Sequence, residues 1–321
     1  MEIKPKQRAL VLGANGQDGS YLCEHLVAAN FDVIGIGRQE VAAHPILSSA
    51  YEYRQIDLCD YELVVMFLKK IKPDIVYHVA AVHGSAGFEY ETVFDKVIDV
   101  NLKSLFAILE YARNHNTQTR CVYASSAKIF TSPLAGEIRE NYPQSQDCLY
   151  SITKIAAESI LDYYYTRHGI VGHVAYFFNH ESARRGSEFF FSKICDSVAH
   201  SVIDVNYQVE VQNLNFDLDW GSAEEFMHYF MRLATKSEPE KVIISRGETL
   251  NAKTLTASLF AHYGLDFCDH IIINSPSPKL TSFNTNLEHM EQIFGGLPKV
   301  TAFDLGVSMV EEKLKSLRAV I

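Results

Sequence analysis

The chain has 321 residues, 47% of them apolar, enough for a sizeable core in one large domain plus a smaller one. Its formal net charge of −10 argues against nonspecific nucleic-acid binding, which needs a positive field to displace counterions. No secretory leader and no long apolar span are legible, so a cytoplasmic protein with no membrane partner is expected.

The six cysteines (Cys23, Cys59, Cys121, Cys148, Cys195, Cys268) are scattered, and the 13 histidines show no HExxH-type pairing. No metal site is expected, and the cysteines read as small hydrophobes in a reducing compartment.

The chain opens with an apolar strand, RALVLG at residues 8–13, that runs into glycines. Leu22, Cys23, Leu26 and Ala29 follow at helical spacing, then a second strand, DVIGIG. YELVVMFLKKIK reads as a helix that stops at Pro73, and DIVYHVAA as a buried strand. Ile98, Leu102, Leu105 and Leu109 mark one face of the next helix. CVYASS, a helix from Tyr150 to about His168, and VGHVAYFF complete the pattern. Nearly all-apolar strands alternating with helices imply a parallel sheet covered on both faces, hence a doubly wound α/β Rossmann fold. From about residue 180 the pattern loosens into polar loops, helices and short strands (QVEVQ, KVIIS, HIIIN). The expected organisation is a dinucleotide-binding domain over residues 1–179 and a smaller α/β substrate lobe, mainly residues 180–321.

GANGQDG places Gly13, Gly16 and Gly19 between the first strand and the first helix, with Gln17 and Asp18 opening that helix. Such a loop turns tightly against a pyrophosphate and offers it the free N–H groups of a helix N-terminus. Strand two ends in Gly37 and Arg38, where an NAD site usually carries a carboxylate for the ribose 2′-hydroxyl. Arg38 is either a solvated charge or a partner for a 2′-phosphate; the missing carboxylate favours the latter, so NADP is expected rather than NAD. Asp57 and Leu58 would flank the adenine, and Ala80 and Ala81 the pyrophosphate and nicotinamide ribose. His78 is either a satisfied core histidine or a contact residue.

Tyr150 and Lys154 lie four apart, so they share a helix face. An ammonium beside a phenol favours phenolate, which can take a proton from a carbinol or return one to a ketone. Ser126, ending the adjacent strand, can hydrogen-bond the same oxygen. Serine, tyrosine and lysine in this order, after a glycine loop, point to hydride transfer, with Tyr150 and Lys154 also touching the cofactor.

On these residues the chain resembles the extended short-chain dehydrogenase/reductase family, whose members mostly modify nucleotide sugars. GANGQDGSYL, PDIVYHVAA, FFNHESARRGSEFFFSKI, NLNFDLDWGSAEEF and SRGET are similar to segments of its GDP-mannose 4,6-dehydratase branch. The resemblance implies a nucleotide-diphospho-sugar substrate, with Asn179 towards the pyrophosphate and Lys193 on the nucleotide. It implies that Arg184 and Arg185 contact phosphate, cofactor or a neighbouring subunit, and that the protein is a homodimer or homotetramer. The helix around residues 98–109 is a candidate contact. That branch carries a glutamate two residues after its serine or threonine, to move protons during loss of water. Here the position is Lys128, which either binds a substrate oxygen or faces solvent. A lysine with a pKa of about 10.4 is charged at neutral pH and is no base unless strongly desolvated. Leu218 and Ser277 stand where the branch has arginines. A ketoreductase or epimerase is therefore expected. The alternatives are a dehydratase using another base and a non-catalytic binding protein, against which the intact Ser126, Tyr150 and Lys154 argue.

Overall fold

A computed structural model describes residues 6–84, 87–275 and 282–319, so Ser277 lies outside the described residues. In chain order the first elements are β1 (Arg8–Leu12), α1 (Gln17–Ala28), β2 (Asp32–Gly37), β3 (Tyr51–Gln55), α2 (Tyr61–Ile71) and β4 (Ile75–His78). Next come α3 (Phe94–Ile98), α4 (Ser104–His115), β5 (Arg120–Ser126), β6 (Gly136–Ile138), α5 (Leu149–His168) and β7 (Gly172–Phe177). Then follow β8 (Asn179–Glu181), α6 (Phe190–Ile203), β9 (Val209–Val211), β10 (Asp217–Ser222), α7 (Ala223–Leu233) and β11 (Lys241–Ile244). The chain closes with β12 (Thr249–Asn251), α8 (Ala252–His262), α9 (Phe267–His270), β13 (Ile271–Ile273), β14 (Phe283–Thr285), α10 (Glu288–Phe294) and α11 (Ala302–Arg318).

The chain divides into two compact units. The first takes residues up to Thr131, then Glu140–Phe177 and Met227–Val242. The second takes Ser132–Arg139, Phe178–Phe226 and the chain from Ile243 on. A single boundary after residue 179 does not describe this path, because the chain returns to the first unit after leaving it. The return is hydrogen-bonded: Val174 N–H donates to the Glu240 carbonyl at 2.8 Å, which seats β11 beside β7 as an edge strand of the sheet.

The first unit is built on a seven-stranded sheet of order β11-β7-β5-β4-β1-β2-β3, with the registered pairs parallel. This is the expected doubly wound arrangement, and its strand order reverses between β1 and β4. β4 is buried along its length and β1 in all but its first residue. That matches strands covered on both faces. Helices α2, α4 and α5 pack side by side. α2 starts on the Asp60 side chain, which accepts from Leu63 N–H at 3.0 Å, and ends at left-handed Lys72 (φ 49°), just before Pro73.

The helix expected around residues 98–109 is present, with one turn widened. Residues Asp99–Lys103 form a π-turn between α3 and α4. The cause is Asn101, fully buried inside it. Its Oδ1 accepts from Val82 N–H at 3.0 Å, its Nδ2 donates to Thr153 Oγ1 at 3.1 Å, and its carbonyl accepts from Tyr123 Oη at 3.0 Å. A wider turn frees that carbonyl for a partner outside the helix.

The second unit has a three-stranded sheet β12-β10-β8 and the parallel pairs β13-β9 and β14-β6. Its core gathers Phe191, Trp220, Leu259, Phe260 and Met309 with residues of α6, α8 and α11. Among the described residues, no helix is long and apolar enough to cross a membrane.

Candidate active site

The glycine loop sits where β1 and β4 part. Gly13 has φ 93°, and a Cβ there would lie 2.8 Å from the Ala80 backbone nitrogen. A Cβ on Gly19 would lie 2.1 Å from the Gly13 carbonyl oxygen. Any side chain at either position would push the loop off β4 or off α1, so these glycines serve close backbone approach. Around the loop lies a cavity of about 370 Å³. It is lined by Gly13, Gly16, Arg38, Asp57, Leu58, Ala80 and Ala81, all assigned to the cofactor from sequence, together with Asn15, His83 and Lys96, which were not. Gln17, Asp18, Gly19, Tyr150 and Lys154 are not among its lining residues. Gln17 is buried and donates to Asp18 at 3.1 Å.

At the end of β2 the structure explains the missing carboxylate. A Cβ on Gly37 would lie 2.7 Å from Tyr53 Oη. That hydroxyl donates to the Gln39 carbonyl at 2.8 Å and accepts from Asn15 Nδ2 at 3.0 Å. Asn15 also donates to the Val41 carbonyl and accepts from Ala43 N–H, both at 3.0 Å. Asn15, inside the glycine loop, thus ties down the segment that carries Arg38.

The reactive corner is assembled from side chains. Tyr150 and Lys154 share one face of α5 and are buried, Lys154 to 1% exposure. Lys154 Nζ donates to the Ala124 carbonyl at 2.7 Å and lies 5.5 Å from the centre of the Tyr150 ring. Burial lowers the Lys154 pKa to about 7, and the Asp18 carboxylate works against that shift. Near neutrality the amine is thus only partly charged. Ser126 ends β5, two residues beyond Ala124, and its Oγ accepts from Lys128 N–H at 3.2 Å. Lys128 itself is exposed on the turn after β5, and partial loss of hydration lowers its pKa.

His78 is a core residue. Its Nε2 pairs with Ser104 Oγ at 2.6 Å, and burial lowers its pKa to about 3, so it stays neutral. The sequence reading missed Asn101, which ties Val82, at the end of the strand-four loop, to Thr153 beside Lys154. The one available signal was an asparagine inside an apolar helix. It also missed His83 and Tyr90, which pack against Tyr150.

In the second unit, Asn179 is exposed on β8. The Arg185 guanidinium lies 3.6 Å from the Phe189 ring centre, and its Nε is 3.6 Å from Glu181. Lys193 Nζ donates to the Glu210 carbonyl at 2.6 Å. Asp219 anchors the SRGET loop by accepting from Arg246 and Gly247 N–H at 2.8 and 2.7 Å, and burial raises its pKa to about 6.

Residues 10–285 match the family model of GDP-mannose 4,6 dehydratase. GDP-mannose 4,6 dehydratase 1 of Arabidopsis thaliana is 28% identical over 98% of this chain and 91% of its own. The fold superposes on UDP-glucose 4-epimerase of Thermus thermophilus, solved with NAD (TM-score 0.80, 19% identity, 96% and 99% coverage). It also superposes on RMD from Pseudomonas aeruginosa, solved with NADPH (TM-score 0.79, 18% identity, 97% and 100% coverage). The family match takes in the glycine loop, the β1–β4 crevice and the Tyr150–Lys154 pair, so the chain belongs to the GDP-mannose 4,6 dehydratase family of extended short-chain dehydrogenase/reductase enzymes.

Proposed function

We propose that the chain transfers hydride, with NADP, at a sugar carbon of a nucleotide-diphospho-sugar, C4 being the expected position, as a ketoreductase or epimerase that does not eliminate water. The observation that carries this reading is the buried Tyr150–Lys154 pair, kept on α5 while Lys128 stands in place of the dehydrating carboxylate.

A dinucleotide fits the cradle: at Gly13 any Cβ would block the backbone approach a pyrophosphate needs. Arg38, which lines the cavity, is the group offered to a 2′-phosphate, and Gly37 leaves no carboxylate to repel it. Asp57 and Leu58 would hold the adenine, and Ala80 and Ala81 leave room for the nicotinamide ribose. Bound there, the nicotinamide supplies the hydride acceptor or donor.

Tyr150 takes the proton from the carbinol oxygen during oxidation and gives it to the ketone oxygen during reduction. Lys154 steadies the phenolate when protonated, and its bond to the Ala124 carbonyl fixes the amine beneath the ring. Ser126 hydrogen-bonds the same substrate oxygen. Asn179, Arg185 and Lys193 are proposed to hold the nucleotide and pyrophosphate, and Lys128 a substrate oxygen or charge. Elimination would need a base for the C5 proton, and the dehydrating carboxylate that would serve is absent, with Lys128 in its place.

The test is a nucleotide screen by thermal stabilisation with NADP present, followed by incubation with the matching sugar nucleotide and its 4-keto form. Reduction or C4 inversion supports the reading. Conversion of GDP-mannose to a 4-keto-6-deoxy product, unaltered by Lys128→Ala, supports the second reading that the relatives' names favour, a dehydratase with another base. A homodimer or homotetramer is proposed too, with Phe106 of α4 and Tyr163 of α5, 42% and 58% exposed, at the contact; light scattering checks it.

A further inference from the structure

His83 follows the small-residue end of β4, lines the dinucleotide cavity, and has no role in the mechanism above. Its ring lies against the reactive tyrosine: the His83 and Tyr150 ring centres are 4.6 Å apart with planes tilted by 33°. Tyr90 completes the group. Its Oη pairs with His83 Nδ1 at 2.8 Å, and its ring stacks 6.0 Å from that of Tyr150. Two anchors keep the imidazole there. Tyr90 is buried with Val97 and Tyr150, and the neighbouring Val82 N–H is bonded to Asn101 Oδ1.

Imidazole is the side chain whose charge changes near neutrality. A cation within about 6 Å of an aromatic ring centre is attracted to its face, and more strongly once the ring is a phenolate. We propose that His83 is a positioning residue that sets the ionisation of Tyr150, so that imidazole and phenol titrate as a coupled pair. The inference rests on Tyr150 being the proton-transfer group of the proposed function. The sign follows from charge: protonated His83 favours the phenolate, and the phenolate in turn favours protonated His83.

The other titratable groups around the pair are few among the described residues. Tyr90 faces His83 from the turn before α3. Cys148 caps α5 and Lys154 lies on it, the Tyr123 ring of β5 faces Lys154, and Lys96 of α3 lines the same cavity. Burial leaves Lys154 only partly protonated near neutrality, so its charge alone does not saturate the demand of a phenolate. A second cation beside the ring then has an effect to exert.

The test is an NMR titration of the full chain with NADP⁺ added, carrying ¹³C at tyrosine Cζ and histidine Cε1. Tyr150→Phe and His83→Gln assign the two resonances. Coupling is reciprocal. The Tyr150 midpoint should therefore rise by about half a unit or more in His83→Gln, and the His83 midpoint should fall by a similar amount in Tyr150→Phe. Tyr90→Phe, which unties the imidazole but keeps it, should raise the Tyr150 midpoint by less. Unmoved midpoints in either folded variant overturn the proposal. If Lys154→Met alone shifts Tyr150, the coupling is wrong while the Tyr150–Lys154 mechanism stands. The mechanism itself fails by a separate result, full hydride transfer in Tyr150→Phe.

Discussion

The glycine-loop cradle and the Tyr150–Lys154 corner adjoin each other in one unit, yet they are built by different means. The cradle is backbone: Gly13 and Gly19 matter for the atoms they lack, and the strand reversal between β1 and β4 supplies the crevice. The corner is side chains gathered from β5, α5, the π-turn and the loop after β4. One is set by chain path, the other by packing. Substitutions should therefore separate binding from chemistry.

The largest expected separation comes from Tyr150→Phe. Turnover should fall by about 10²–10⁴-fold, the usual reach of a positioned acid–base group, while NADPH affinity stays nearly unchanged. Fluorescence titration alongside steady-state rates checks both halves; equal losses of binding and turnover would erase the distinction. Gly13→Ala should do the converse. Its φ of 93° and the 2.8 Å approach to Ala80 should cost about 1–3 kcal/mol of stability and abolish tight cofactor binding, seen in urea denaturation and the same titration.

Arg38→Ala sharpens the cradle side. Losing a charge-assisted bond worth about 1.5–3 kcal/mol should raise the NADP Kd about tenfold or more and leave the NAD Kd alone. Equal effects on both cofactors would move Arg38 out of the 2′-phosphate role.

The remaining test is a slope. Burial takes Lys154 from 10.5 to about 7, so between those values the unfolded chain binds more protons than the fold. Stability should therefore rise with pH across that window, and below about 7 the burial penalty is fully felt. Lys154→Met should flatten this rise, measured as Tm at successive pH values from 7 to about 10. An unchanged slope would mean that the amine is better solvated than its burial implies.

The same division explains what the sequence disclosed. The glycine loop, the apolar strands and the Tyr150–Lys154 spacing are local patterns, and each was legible. Asn101 was not, because an apolar face at helical spacing carries no mark of a turn that widens to free one carbonyl. His83 gains meaning only through contact with a ring far along the chain. β3 was not legible as a strand: YEYRQ is an edge strand with half-exposed tyrosines, not an apolar run. The chain's return to the first unit depends on which strand borders β7, and no local signal encodes that.

Gly37 shows what that interdependence means for redesign. Engineers who want an NAD-preferring version would ordinarily install aspartate at the tip of β2. Here the phenolic oxygen of Tyr53 already fills that volume, and it braces Asn15 and Gln39 as well. On the proposed NADP reading, coenzyme choice is written across two neighbouring strands, and rewriting it calls for a compensating change at Tyr53 made together with the aspartate.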